Sequence, residues 1–358
     1  MEVKLSFEGE RELVNWARLL ISDFDYELPE ELIAQEPPEQ RGASRMLVVS
    51  RARQTFADDE FANFHRYMRP GDCLVLNNTR VFPARLHGRR NQKAGAKIEV
   101  FLLRGHAGDD HVWRVLVRPG KRVRTGDRIL FSDQLHAEVL EEAEFGERTV
   151  RFHSAQPLAV VFDKLGNVPL PPYIHRAPNP SDRERYQTVF AEKKGSLAAP
   201  TAGLHFTESM LSACRDAGAQ IATVTLHVGL GTFAPLREKE LSRVQLHEEF
   251  FEITAEEAAK MHSAQRLFCV GTTSVRTVET AMLRGGLKAM QGETNLFISP
   301  GFRFQATKAL LTNFHLPQSS LLILVSAFGG RELILAAYKH AVAERYRFFS
   351  YGDCMIID

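Results

Sequence analysis

Two hydrophobic rhythms divide this chain, and they demand different architectures. Between Val81 and about Ser154, short β-favouring runs recur at spacings near ten residues: Ile98–Leu103, Val112–Val117, Arg128–Phe131, Leu135–Leu140 and Thr149–Phe152. Gly95, Gly105–Asp110, Pro119-Gly120, Thr125-Gly126 and Phe145-Gly146 supply turn chemistry between them. The pattern predicts a small antiparallel β-barrel or sandwich. Beyond Pro200 the rhythm changes to strand and helix in alternation. Thr207–Ala217 reads as helix and Gln220–Val228 as strand, and Thr254 with Glu257 forms a capping box before an Ala-rich helix. Leu267–Val270 reads as a strand that runs through Gly271-Thr272-Thr273-Ser274 into a helix over Val275–Arg284, ended by Gly285-Gly286. Leu321–Phe328, continuously apolar, is expected as a buried strand feeding a helix over Glu332–Arg345. The fold class is therefore α/β: a mixed-sheet domain from residues 1–79 and 155–358, with an inserted small antiparallel β-barrel over 80–154. Segments with helical pattern near Leu13–Leu20 and Phe61–Met68 cannot bury a core alone and are expected to pack on the C-terminal domain.

A length of 358 residues allows one large or two ordinary cores. The first twenty residues interleave Glu and Lys with apolar residues, so neither a secretory leader nor a transit peptide is expected. The longest apolar run is too short to span a bilayer, so no membrane association is expected. Cys73, Cys214, Cys269 and Cys354 are far apart and match no paired metal spacing, which suits a reducing cytoplasm and small buried thiols. The net charge of +1 hides an asymmetry: residues 80–128 hold thirteen Lys or Arg against four acids, or +9, leaving −8 elsewhere. Either a polyanionic partner or a solvated basic face accounts for that segment.

Three histidines sit in apolar runs bounded by Gly or Pro: His205 after Ala198–Leu204, His227 before Val228–Phe233, and His315 between Phe314 and Leu316-Pro317. An imidazole placed where Val or Leu would pack must have its nitrogens satisfied, and near neutral pH it can move protons. One such residue alone is commonly a satisfied core histidine; three beside loop chemistry point to a shared cleft. Gly271-Thr272-Thr273-Ser274 is either an ordinary helix cap or an anion site, with Arg276 one turn in. Gly229–Ala234 formally matches G-x-G-x-x-A, but Pro235 and the β-favouring Thr232-Phe233 argue for a loop, so a dinucleotide site is not expected. No H-x-H or H-E-x-x-H pair fixes two ligands on one element, and no metal is expected. Asn77-Asn78-Thr79-Arg80 marks a domain junction, read as facing a cleft between barrel and α/β domain.

Taken together the motifs closely resemble those of the S-adenosylmethionine:tRNA ribosyltransferase-isomerase family of queuosine biosynthesis. They are Phe24–Pro29, Ser44-Arg45, Leu76–Val81, Pro169–Ile174, Tyr186–Phe190, Ala198–Phe206, Val224–Phe233, Val270–Arg276, Thr312–Pro317 and Tyr346–Asp353. The resemblance spans nearly the whole chain, leaving about twenty residues before Asp23 as an extension. It implies transfer and isomerisation of the ribosyl group of S-adenosylmethionine onto the aminomethyl nitrogen of 7-aminomethyl-7-deazaguanine at the tRNA wobble position, giving epoxyqueuosine, adenine and methionine. S-adenosylmethionine is then a co-substrate and tRNA the partner, met by a cytoplasmic monomer without a metal. The site residues it implies are His205, His227 and His315 for proton transfer. For substrate binding they are Arg45, Asn78, Arg80, Thr201, Phe206, Phe233, His247, Glu249, Thr272, Thr273, Arg276, Asn313 and Asp353. Thr272, Thr273 and Arg276 are expected on the methionine carboxylate, Phe206 or Phe233 on adenine, an aromatic ring or Glu249 by the sulfonium, and the +9 segment on tRNA phosphates. Two departures from the family pattern are Leu246-His247-Glu248-Glu249, where a serine usually stands at 248, and Ser326–Gly330, with Gly329 for alanine. Two rival readings are a small-molecule transferase or metal hydrolase of the same α/β type, and a non-catalytic RNA-binding protein that leaves the histidine loops unexplained.

Overall fold

The structure is a computed structural model that describes residues 3–4, 19–91, 95–106, 108–229, 236 and 238–358. Five strands come first: β1 (Val3–Lys4), β2 (Arg45–Ser50), β3 (Thr55–Glu60), β4 (Asp72–Asn77) and β5 (Thr79–Val81). Six follow as β6 (Arg85–Arg90), β7 (Lys97–His106), β8 (Asp109–Arg118), β9 (Arg128–Ser132), β10 (Leu135–Glu142) and β11 (Glu147–Ser154), then helices α1 (Leu158–Leu165) and α2 (Asp182–Arg185). The rest runs β12 (Lys193–Ser196), α3 (Glu208–Asp216), β13 (Gln220–Leu226), β14 (Glu249–Ile253), α4 (Ala255–Ser263), β15 (Arg266–Val270) and α5 (Gly271–Leu283). It ends with β16 (Met290–Thr294), β17 (Thr307–Asn313), α6 (Ser320–Gly329), α7 (Arg331–Ala343) and β18 (Cys354–Ile357).

The chain divides into two compact units. One comprises Met1–Arg80, Pro171–Arg176 and Arg185–Asp358, built on a ten-stranded sheet in the order β1-β3-β2-β18-β17-β15-β4-β13-β14-β16. Its centre is parallel: β13 with β4, β4 with β15, and β15 with β17. Strand β18 then pairs antiparallel with β17 and parallel with β2. Side chains alternate between the faces of a strand, and both faces here are covered. Cys73, Val75, Cys269 and Leu310 pack in the cluster that holds α5, α6 and α7. Their neighbours Leu74, Leu76, Phe268 and Leu311 pack against Phe61, Phe64, Phe206 and α3. Every residue of β4 is buried for this reason. The four thiols are free and buried, and burial pushes Cys73 and Cys214 up to about 12.

The other unit comprises Val81–Leu170 and Ala177–Glu184. Strands β6 to β11 close into a barrel in the order β10-β11-β8-β7-β6-β9. Strand β6 was invisible in the sequence because Arg-Leu-His-Gly-Arg-Arg carries one large apolar residue, Leu86. The unit runs past the expected limit at 154 because α1 belongs to it, its Phe162 ring lying 5.4 Å from Trp113 and 5.0 Å from Phe152.

Leu321–Phe328 is not a strand but most of α6. A continuous apolar run fits a buried helix as well as a buried strand, and Ser319 decides it by accepting the Leu322 amide as N-cap at 3.2 Å. Among the described residues no single helix is long and apolar enough to cross a membrane; α6 and α7 pass together, but they bend by 117°.

Candidate active site

Of the four parallel strands at the centre of the sheet, β13, β15 and β17 release their chain at the same end, and a cavity of about 340 Å³ opens there. The continuation of β13 supplies Val228, the turn from β15 into α5 supplies Gly271, Thr272 and Thr273, and β17 with its continuation supplies Thr312 to Ser319. Ala198 to Ala202, running into the 3₁₀ helix Thr201–His205, form a further wall with Tyr173, Phe349 and Ser350. Ligands of open α/β sheets collect beyond strand carboxyl ends in this way.

The turn into α5 is made by Gly271 at φ +82°, a left-handed conformation that glycine adopts without penalty. No side chain caps the N-terminus of α5 and its first turn holds no acid, so orphan amides and the positive end of the helix dipole remain for a ligand. Thr273 Oγ1 is buried without a partner, and so is Asn313 Oδ1. Buried polar atoms are almost always paired, so two unpaired ones in one wall mark where a ligand belongs. None of the described lining residues is Asp, Glu, Lys or Arg.

The histidines do not share one opening. His315 lines the cavity, with Nε2 2.8 Å from Thr312 Oγ1 and its backbone amide donating to the Tyr338 hydroxyl at 3.0 Å. Burial drives its imidazolium down to about 3, so the ring is neutral at physiological pH. His205 lies behind the wall, Nδ1 2.9 Å from Ser44 Oγ and Nε2 3.2 Å from Asn313 Nδ2. Burial lowers it to about 4, and the charge of Arg41 pushes the same way. With both nitrogens engaged, direct proton transfer by His205 is not what this arrangement provides. His227 stands apart, Nδ1 2.7 Å from Thr79 Oγ1 and its ring stacked on Phe250 at 5.5 Å, and burial lowers its pKa against the pull of Glu252.

The cavity and its strand-end position invite comparison with known proteins. A family profile described as queuosine biosynthesis protein matches residues 21–357. The chain belongs to that queuosine biosynthesis family. A Solibacter usitatus relative named S-adenosylmethionine:tRNA ribosyltransferase-isomerase is 55% identical over 352 residues, covering 94% of this chain and 99% of the relative. One of the same name from Thermoanaerobacter is 48% identical over 342 residues, with coverage of 94% and 99%. The crystal structure of S-adenosylmethionine tRNA ribosyltransferase from Thermotoga maritima is 38% identical and superposes with a TM-score of 0.55, covering 94% of this chain and all of that one.

In this queuosine biosynthesis family member, Thr201, Thr272, Thr273, Asn313 and His315 meet in the cavity wall. Other expected site residues are placed differently. Phe206 has no exposed surface and is edge-on to Phe61 and Phe64, so it serves the core and cannot stack on a ligand. Arg276 does not line the cavity: its Nη1 is held by Glu249 Oε2 and its Nε donates to the Leu296 carbonyl at 3.0 Å. Glu249, neutralised by that arginine and accepting the Gly229 amide at 2.8 Å, is likewise unsuited to face a sulfonium. Asp353 accepts the amides of Arg45 and Arg347 at 2.9 and 2.8 Å; burial raises its carboxyl against those bonds. Arg45 lies over the Tyr346 ring at 3.8 Å and pairs with Asp58 at 3.6 Å. Asn78 joins Thr225 at 2.7 Å and Glu192 at 3.2 Å, while Arg80 and His247 are exposed. Phe233 lies outside the described residues, as does the rejected fingerprint beyond its first glycine, Gly229.

Sequence reasoning missed Tyr173 and Phe349, whose rings lie 4.6 Å apart in the wall, with the Tyr173 hydroxyl 2.6 Å from Ser350 Oγ. Both lie in motifs of the resemblance, Pro169–Ile174 and Tyr346–Asp353, but the first carries no charge or imidazole to announce chemistry, and in the second the charged Asp353 draws attention away from Phe349. Among the described residues no three His, Cys, Asp or Glu side chains gather in a group able to hold a metal ion.

Proposed function

We propose that this chain is an S-adenosylmethionine:tRNA ribosyltransferase-isomerase. It transfers and isomerises the ribosyl group of S-adenosylmethionine onto the aminomethyl group of 7-aminomethyl-7-deazaguanine at the wobble position of tRNA. A nitrogen–ribosyl bond forms, the bonds to adenine and to methionine sulfur break, and epoxyqueuosine stays on the tRNA. The observation that carries this reading is the strand-end cavity, which pairs an uncapped helix N-terminus with walls that, among the described residues, hold a single neutral imidazole and no carboxylate, ammonium or guanidinium.

The amides of Gly271, Thr272 and Thr273 suit the methionine carboxylate, with Thr273 Oγ1 gaining the partner it lacks. Tyr173 and Phe349 offer the flat apolar surface that adenine needs, in place of Phe206. His315 moves the proton. With its Nε2–H donated to Thr312, the Nδ1 lone pair, which has no partner among the described residues, is open to accept a proton from the ribose or the attacking amine and later to pass one to adenine. Among the described residues the walls hold no carboxylate or ammonium, which leaves the sulfonium unscreened and favours departure of neutral methionine sulfur.

The wobble base lies in a single-stranded loop and can be splayed into a pocket without breaking a duplex. The barrel unit supplies exposed cations for tRNA phosphates, among them Arg89, Lys97, Arg118, Lys121, Arg122 and Arg128. A cytoplasmic monomer acting without metal or membrane completes the reading. Adenine release measured with and without tRNA carrying 7-aminomethyl-7-deazaguanine tests it: release only with that tRNA, and undiminished by chelator, is expected. Turnover without RNA would favour a small-molecule transferase, loss with chelator a metal hydrolase, and no release at all a binding protein.

A further inference from the structure

Behind the cavity wall, Ser44, His205 and Asn313 form a chain of hydrogen bonds with one self-consistent arrangement of protons. Asn313 Nδ2 lies 2.9 Å from the Phe349 carbonyl oxygen and 3.2 Å from His205 Nε2. The reversed amide would set two carbonyl oxygens against each other, so the nitrogen must face Phe349. An amide nitrogen only donates, so His205 Nε2 accepts and its proton sits on Nδ1, which donates to Ser44 Oγ at 2.9 Å. Both amide hydrogens are thereby consumed. What remains is Asn313 Oδ1, buried, unpartnered, and carried by a residue that lines the cavity and is 2% exposed. Burial that keeps the imidazole neutral preserves the accepting Nε2 across the physiological range.

We infer that Ser44 and His205 are positioning residues that clamp the Asn313 carboxamide, presenting its Oδ1 as a fixed acceptor for an uncharged donor on the bound substrate, the purine amino group or a ribose hydroxyl. An amide oxygen already stripped of water strongly rewards a matching donor and penalises an analogue lacking one, because its own desolvation is complete before binding. The ligand assignment rests on the cavity reading above; the proton arrangement does not.

Two measurements test it. In protein labelled with ¹⁵N-histidine, the signal assigned to His205 by its disappearance in His205→Gln should show Nδ1 protonated and Nε2 accepting. Ser44→Ala should disturb that pattern and Ser44→Thr restore it; a ring protonated on Nε2 in the wild type overturns the clamp, whether or not any substrate binds. In titrations with S-adenosylmethionine, an analogue whose purine lacks the amino group and one lacking the ribose hydroxyls, the wild type should bind one analogue about 10- to 100-fold more weakly. Which analogue suffers identifies the donor. Asn313→Ala should abolish that discrimination, Ser44→Ala should reduce it while thermal melting stays cooperative, and Ser44→Thr should recover it. Equal binding of all three ligands by the wild type, or full discrimination retained in Asn313→Ala, overturns the inference. Failure of the wild type to bind S-adenosylmethionine at all would sink the cavity reading instead, and the ring spectrum would still decide the clamp.

Discussion

At the scale of single residues, burial and partners separate three similar histidines into three jobs. Removing the imidazole of His315 by His315→Ala should lower the rate of adenine release by about 10² to 10⁴, the usual contribution of a positioned proton carrier, with S-adenosylmethionine affinity little changed. A rate within threefold of wild type would exclude it. Neutral burial also has a thermodynamic signature. Unfolded imidazoles gain a proton near 6.5, whereas His205 and His315 do so only near 4 and 3. In between the unfolded state binds more protons, so stability is complete above about 6.5 and drains away as the pH falls toward those lower values. Melting temperature should therefore drop from pH 7.5 to pH 5, and less steeply in His205→Gln; identical slopes would show that His205 is not buried neutral. Sequence could announce that three imidazoles sat in apolar loops, because that misfit is visible in one dimension. It could not tell that Ser44, not Arg45, turns inward, or that Arg276 Nη1 pairs with Glu249, since such pairings depend on which faces meet.

At the scale of elements, the strand-to-helix passage at Gly271 was readable because turn, hydroxyl and helix signals coincide there. Helix α6 was not, because an unbroken apolar run has no period to read. Its burial makes a firm prediction. Leu322→Ala should cost about 2–5 kcal/mol in denaturant unfolding and Ser319→Ala about 1 kcal/mol through its lost cap; an effect of Leu322→Ala below 0.5 kcal/mol on the order set by exposed sites would contradict that placement. Strand β12 offers a separate probe of His227. A methyl group on Gly195 would lie 2.5 Å from His227 Nε2 and 2.7 Å from its Cδ2, so the whole ring must leave Thr79. Gly195→Ala should destabilise the protein by about 1–3 kcal/mol and leave the chemical step intact. A lost rate with unchanged stability would return His227 to the reaction.

At the scale of the whole molecule, charge read along the chain differs from charge read in the fold. All of the +9 segment but Arg80 shares its unit with the acidic stretch 133–147, so that unit holds sixteen basic against thirteen acidic residues, +3 net. Arg114 is paired with Glu147 at 2.7 Å and Arg124 with Glu142 at 3.2 Å. Lys121→Ala and Arg122→Ala should each flatten the salt dependence of tRNA affinity by about one unit of log–log slope, and Arg114→Ala by less; equal effects would mean the pairing does not hold in solution. The barrel and the alternating α/β half were legible because each rests on local rhythm. The order of strands was not, for it is set by pairings between residues hundreds of positions apart. Foremost among them is β18, residues 354–357, seated between β2 and β17. Without residues 354–357, β2 and β17 would each lose a partner and the sheet would carry two unpaired edges in its interior, so removing that one short strand would leave a sticky intermediate for chaperones and proteases rather than a slightly shortened enzyme.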